Sequence, residues 1–239
     1  MRTKLMIAVV VLAVVAAALG VTTLLVFWLG PLIGLSISVV GAVLVCLGYH
    51  LVVRPWQRHW GATDDEVART MPGDDVVARA AATTRAVTIE AAPEQIWPWL
   101  VQVGYGRAGW YSYDWIDNDG RPSADQIYRE LQDLQVGDRL ELVPGMGPQV
   151  RDLQPNQWLL CGDAARGTWC LALYPLAPHR TRLVSRWRMD WQLTPANVPW
   201  ILVSDPGTFI MERRMLHGIR DRAERMAANE RFLKGAVTT

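Results

Sequence analysis

The stretch Gly104-Tyr-Gly-Arg-Ala-Gly-Trp-Tyr-Ser-Tyr-Asp-Trp115 crowds glycines, aromatic rings, one base and one acid into twelve residues. Its string Gly104-x-Gly106-x-x-Gly109 has the spacing of a dinucleotide-binding fingerprint, in which a strand leads into the turn and a helix N-terminus receives the pyrophosphate. Here the string follows a predicted helix and runs into aromatics, so neither a nucleotide nor any other cofactor is expected. The glycines read instead as a turn that needs positive φ. Such a turn delivers Trp110, Tyr111, Tyr113, Asp114 and Trp115 to the mouth or wall of a cavity, where rings supply apolar contact and Asp114, or Arg107, orients a polar head. The competing reading is that the rings plug a small core. Asp114 is also the one candidate for a catalytic base.

Other groups add little chemistry. His50, His59, His179 and His217 show no ligand spacing, so no metal is expected. No Gly-x-Ser-x-Gly elbow and no phosphate-binding loop occurs. What remains suffices for proton transfer on a bound phenol or ketone without being diagnostic of it. Of the 12 tryptophans, Trp169 and Trp187 fall on predicted central strands and Trp97 on a predicted helix, which makes all three candidates for a ligand-facing surface. Arg186 and Arg188 flank Trp187 and point to the opposite face, where they read as surface charges. Glu212 and His217 lie on the last predicted helix, either on a solvated face or reaching a cavity.

The elements that must position these residues follow from periodicity. Residues 84–90 alternate polar and apolar, as a half-buried strand does. Pro93 opens a helix whose Ile96, Leu100 and Val103 share one face. A second short helix is expected over residues 123–134, with Ser123 as its cap. Strands are expected over 138–143, 149–153, 157–162, 168–174 and 181–192, separated by turn residues, which implies an antiparallel meander. A terminal helix over about 206–233 carries Met215, Leu216, Ile219, Ala223, Met226 and Ala227 on one stripe and arginines on the other. The class is therefore α+β in two layers. Residues 54–83 read as a juxtamembrane linker with a short helix, and residues 84–235 as the folded domain.

Ahead of the linker, the 49 residues from Leu5 to Val53 contain no Asp, Glu, Lys or Arg. As one helix they would run to roughly 74 Å, more than twice a hydrocarbon core of about 30 Å. Two transmembrane helices fit, at about 5–29 and 32–53, broken at Gly30-Pro31. Arg2 and Lys4 precede them and Arg54 and Arg58 follow, so the positive-inside rule places both termini and the domain on the cytoplasmic side of the cell membrane. A cleaved signal peptide ending near Ala16-Ala17-Ala18 is the alternative. Cys161 and Cys170 either face each other across a hairpin or, as favoured here, are two buried free thiols. Beyond residue 53 the chain carries 22 basic and 23 acidic residues, so no nucleic-acid partner is expected.

The segment Ile89-Glu-Ala-Ala-Pro-Glu-Gln-Ile-Trp97-Pro-Trp-Leu100, a strand leading through Ala-Pro into an amphipathic helix, resembles the opening of the START-like (SRPBCC) superfamily of polyketide cyclases, aromatases and lipid-transfer proteins. The order of elements agrees over about 84–233. The resemblance implies a helix-grip fold, a curved antiparallel sheet around a long C-terminal helix with an apolar cavity between them. It does not imply one activity. The favoured expectation is membrane-tethered binding or transfer of a hydrophobic ligand, a lipid or polyketide-like molecule, with the bilayer as the other partner. The alternatives are a cyclase- or dehydratase-type enzyme, which would need an ionisable cavity group with a shifted pKa, and an interaction domain without a ligand.

Overall fold

A computed structural model describes residues 2–77, 80–189 and 198–237. The chain divides into two compact units, Met1–Gln57 and Arg58–Thr239. In the first, α1 (Arg2–Leu29) and α2 (Pro31–Gly48) are joined at Gly30, the expected break, and α2 runs on through a π-helical turn, Tyr49–Val53, into α3 (Arg54–Arg58). The first unit thus contains two helices that are long and apolar enough to cross a membrane. The side chains described in them are almost all exposed.

The second unit opens with α4 (Asp64–Ala68), closed by a capping box in which Thr63 Oγ1 accepts from the Glu66 N–H and Glu66 accepts from the Thr63 N–H. Then follow β1 (Ala81–Ile89), α5 (Pro93–Val101), α6 (Asp114–Asp117), β2 (Val150–Gln154), β3 (Trp158–Asp163), β4 (Gly167–Ala177), β5 (Arg180–Met189) and α7 (Val198–Val237). The strands form one antiparallel sheet in the order β1-β5-β4-β3-β2, so the meander β2 to β5 is completed by β1 on its far edge. Register assigns the faces. Trp187 opposes Trp169 and Thr83, and Leu183 opposes Leu173 and Val87, on the inner face. That face meets α7, whose Met215, Leu216, Ile219, Ala223 and Ala227 are buried as the stripe required. Gly218 lets α7 come close, because a Cβ there would lie 2.2 Å from the Tyr111 carbonyl oxygen.

The outer face holds a correction. Arg186 and Arg188, read as surface charges, lie under the stretch that was expected to be a linker. From Arg58 that stretch belongs to the same compact unit as the sheet. The Arg186 side chain is only 3% exposed and pairs with Asp74 at 2.7 Å, while donating to the carbonyls of Glu66 (2.6 Å), Val67 (3.0 Å) and Arg69 (2.6 Å). Arg188 reaches Asp74 as well, and Arg182 grips Glu66 with two 2.7 Å hydrogen bonds. Met71 joins Ala86, Leu160, Cys170, Ala172 and Val184 in a second, smaller core on this side. Both faces of the sheet are therefore covered. A five-donor guanidinium aligned with the carbonyls of one short segment replaces the water that this face was expected to meet.

Two expected elements are also absent. Residues 123–134 form turns with one 3₁₀ turn at Arg129–Leu131, not a helix. The Gln102 side chain takes their backbone groups instead, accepting from the Tyr128 N–H (3.1 Å) and donating to the Gln126 carbonyl (3.1 Å), and Ser123 is committed to Asp114. Residues 138–143 form no ladder strand but a short hairpin with bridges Arg139 to Gln149 and Val143 to Met146. The last expected strand ends at Met189; residues 190–192 of that expectation lie outside the described residues. Cys161 and Cys170 are free and buried. They cannot face each other, since Cys161 opposes Trp169 and Cys170 opposes Leu160, which puts the thiols on opposite faces. Burial pushes both thiols up to about 12.

Candidate functional site

Between the inner face of the sheet and the part of α7 around Met211 lies a cavity of about 200 Å³. Three indoles shape it. Trp169 and Trp187, cross-strand partners on β4 and β5, stack with ring centres 4.6 Å apart and planes 9° from parallel. Trp110 leans on Trp169 at 5.7 Å and is fixed by its Nε1–H donating to the Glu141 carbonyl at 3.1 Å. Leu142 and Val143 from the hairpin and Met211 and Met215 from α7 complete a wall that is nearly all carbon.

Two acids interrupt that wall. Glu212 on α7 is 7% exposed and is held by a buried ion pair with Arg85 of β1. Its other carboxylate oxygen accepts from the Ser185 hydroxyl, which in turn accepts from Trp169 Nε1–H at 2.9 Å. The network ties β1, β4, β5 and α7 together at the cavity and fixes one of its indoles. Arg85 also lies over the Phe209 ring at 5.2 Å. With partners of this kind Glu212 is a positioned charge in the sheet's interior.

Asp117 is different. It ends α6, is 4% exposed, and neither carboxylate oxygen makes a hydrogen bond of ordinary geometry, although the Ser112 hydroxyl and the backbone N–H groups of Tyr113 and Asp117 are near enough to ease its ionisation. The nearby Ser112 hydroxyl tempers its titration, but donates its proton to the Met211 carbonyl at 3.0 Å. Burial, reinforced by the Asp114 charge, raises Asp117 to about 6.

Of the residues anticipated as ligand-binding, Trp110, Trp169 and Trp187 line this cavity. The other six lie elsewhere. Tyr111 is in the core, with φ of 55°, its hydroxyl accepting from Gln102 Nε2 at 2.8 Å, its edge on Trp99 and the Arg222 guanidinium over its face. Burial raises its phenol well above the ordinary value. Asp114 is bound to Ser123 through both the backbone N–H (3.0 Å) and the hydroxyl, and so staples the turn. Arg107 holds the carbonyls of Val101 (3.0 Å) and Leu131 (3.1 Å), and burial lowers its pKa. Trp97 packs at the edge of the main core. Tyr113 meets Trp115 edge-on at 6.4 Å, and Trp115 is 57% exposed.

The glycine string is a closed turn: Gly104 and Gly109 exchange two 3.1 Å backbone hydrogen bonds, and Gly104, Gly106 and Gly109 all have positive φ. It aims one ring, Trp110, at the cavity. Glu212 takes the cavity-facing alternative left open for it, whereas His217 packs on Trp60 at 5.3 Å. Asp117 and Ser112 carried no signal in the sequence beyond their nearness to the aromatic run. Among the described residues, no three of His, Cys, Asp and Glu gather as a metal site.

No family model matches the chain, and no curated protein matches it. Among solved structures it is similar to a polyketide-cyclase-like protein of Corynebacterium glutamicum (14% identity, 63% of this chain and 91% of that one, TM-score 0.38). It is also similar to the KanY protein (11%, 61% and 98%, 0.39) and to a Mesorhizobium loti protein (17%, 59% and 97%, 0.36). By its own strand order and closing helix, the second unit is a helix-grip arrangement, one antiparallel sheet packed on a long C-terminal helix.

Proposed function

We propose that this protein binds a hydrophobic small molecule in the cavity between sheet and α7, tethered to the cell membrane by α1 and α2 with both termini and the second unit cytoplasmic. The observation that carries the binding reading is the carbon-lined cavity walled by Trp110, Trp169 and Trp187, with only a few polar groups to orient an occupant. The tether rests on the two apolar helices and on basic residues outside both ends of the pair. A tethered cavity draws on the store of apolar molecules dissolved in the bilayer, which suits binding or transfer of a lipid or polyketide-like ligand. Native mass spectrometry of the detergent-purified chain, followed by organic extraction, tests the reading. An apolar molecule retained by the wild type and lost from Met211→Trp supports it; identical extracts from both would sink it.

Asp117 favours a second reading, an enzyme of cyclase or dehydratase type, because it is an ionisable cavity group titrating near neutrality. Turnover of a bound ketone that disappears in Asp117→Asn while binding persists would establish it.

A further inference from the structure

We propose that Asp117 is the polar handle of the cavity, donating its proton to an acceptor oxygen of the bound molecule, so that the ligand is an apolar ketone or ester taken up together with a proton. The proposal rests on the binding reading above and adds the ligand's chemistry to it.

The argument starts from two unpartnered oxygens. A buried carboxyl without hydrogen bonds costs roughly 1–3 kcal/mol relative to one that is satisfied, and such groups are rare enough in folded proteins to need a reason. The other polar side chains that line the cavity are engaged: Glu212 by Arg85 and Ser185, Ser112 by the Met211 carbonyl, and Thr208 by the Asp205 carbonyl. Asp117 alone faces the carbon wall with no hydrogen bond of ordinary geometry on either oxygen.

Its charge environment decides which form is stable there. Asp114, on the same short helix, repels the ionised form; Glu212, across the cavity, is already compensated by Arg85; and none of the groups that shift Asp117 is a base. Its ordinary carboxylate value is displaced upward to about 6 before any ligand arrives. An apolar molecule filling the cavity removes the remaining water and pushes the equilibrium further toward the neutral acid. The neutral acid has one O–H donor, and no acceptor of the protein stands in ordinary hydrogen-bond geometry to receive it. A carbonyl oxygen on the ligand completes that bond. An anionic head is disfavoured, because Arg85, the cation of this network, is already paired with Glu212. Flat hydrocarbon next to the carbonyl suits the paired indoles.

The test uses the full chain in phosphatidylcholine nanodiscs, with empty nanodiscs subtracted, and two probes of one shape: 2-acetylnaphthalene, which carries a ketone, and 2-isopropylnaphthalene, which does not. Calorimetric titration at pH 7 in buffers of different ionisation enthalpy gives the proton count. The ketone is expected to bind about tenfold more tightly than the hydrocarbon at pH 5.5, the worth of one hydrogen bond. It should take up roughly 0.9 proton at pH 7, with affinity falling nearly tenfold per pH unit above that. Asp117→Asn, which keeps a donor, should bind the ketone with no proton uptake, and Asp117→Leu should lose the preference for it. Equal affinity of the two probes for the wild type, or uptake that persists in Asp117→Asn, overturns the proposal and leaves the cavity reading intact. If neither probe binds, or Met211→Trp binds both as the wild type does, the cavity reading itself falls and this proposal with it.

Discussion

Glu212 and Asp117 sit at one cavity and differ in their partners, because one has a guanidinium and a hydroxyl on its oxygens and the other has no hydrogen bond of ordinary geometry. Removing one member of a buried pair leaves a charge in a poor solvent, so Glu212→Leu should lose about 3–5 kcal/mol of stability. The double variant Arg85→Met, Glu212→Leu should regain most of it, read by thermal unfolding in the near-ultraviolet, where the tryptophans report. Asp117 predicts the reverse trend with pH. Its folded value, raised to about 6, lies above its ordinary value of 3.8. The folded state therefore holds the proton more firmly than the unfolded chain does. Its contribution to stability is full below pH 4 and is lost as pH rises through 6, an effect on the order of 3 kcal/mol. Asp117→Asn should accordingly be more stable than the wild type at pH 7.5, with the advantage vanishing near pH 4.

At the scale of elements, the segment 63–77 is bound to the sheet by arginines of one strand. Arg182, Arg186 and Arg188 alternate along β5 and all point to the outer face, where Glu66 and Asp74 receive them. Burial alone would raise Glu66, but the Arg182 fork and the Thr63 N–H outweigh it and bring its carboxyl below the usual range. That contribution is present at neutral pH and lost as pH falls through its folded value. Asp74→Ala leaves the Arg186 guanidinium with neutral partners only, the carbonyls of residues 66, 67 and 69 and the Thr84 hydroxyl. Hydrogen exchange of residues 64–77 should then speed up by ten- to a hundredfold, while the β4–β5 ladder keeps its protection. Equal acceleration of both would mean that the segment and the sheet unfold as one.

For the whole molecule, the arrangement of charge outside α1 and α2 is the basis for the proposed membrane topology. A phosphatase domain fused after Thr239, active only outside the cytoplasm, should be inactive, and a fluorescent protein at the same place should be bright. An active phosphatase would put the cavity on the other side and reopen the signal-peptide alternative. Sidedness matters for the ligand, since a cytoplasmic cavity draws on what is made or released at the inner leaflet.

The amino-acid sequence by itself determined what depends on near neighbours. The strands expected over 84–90 and 168–174, the three- and four-residue steps of Met215 to Ala227, and the break at Gly30-Pro31 rest on local patterns, and the structure has each element, although residues 84–87 are buried on both faces of the sheet and not on one. Even the opposite facing of Trp187 and its flanking arginines was legible, because side chains alternate along any strand. What covers each face was not. Arg186 looks like a solvated charge until the carbonyls of residues 66, 67 and 69 close over it. The helix expected at 123–134 lost to side chains from Asp114 and Gln102, the second of which lies 26 residues before the Tyr128 it holds. Asp114 and Asp117 stand three residues apart in one polar-aromatic run. Only the fold decided that the first would be consumed by Ser123 and the second left bare in an apolar cavity, because desolvation depends on everything packed around a group and not on its neighbours in the chain.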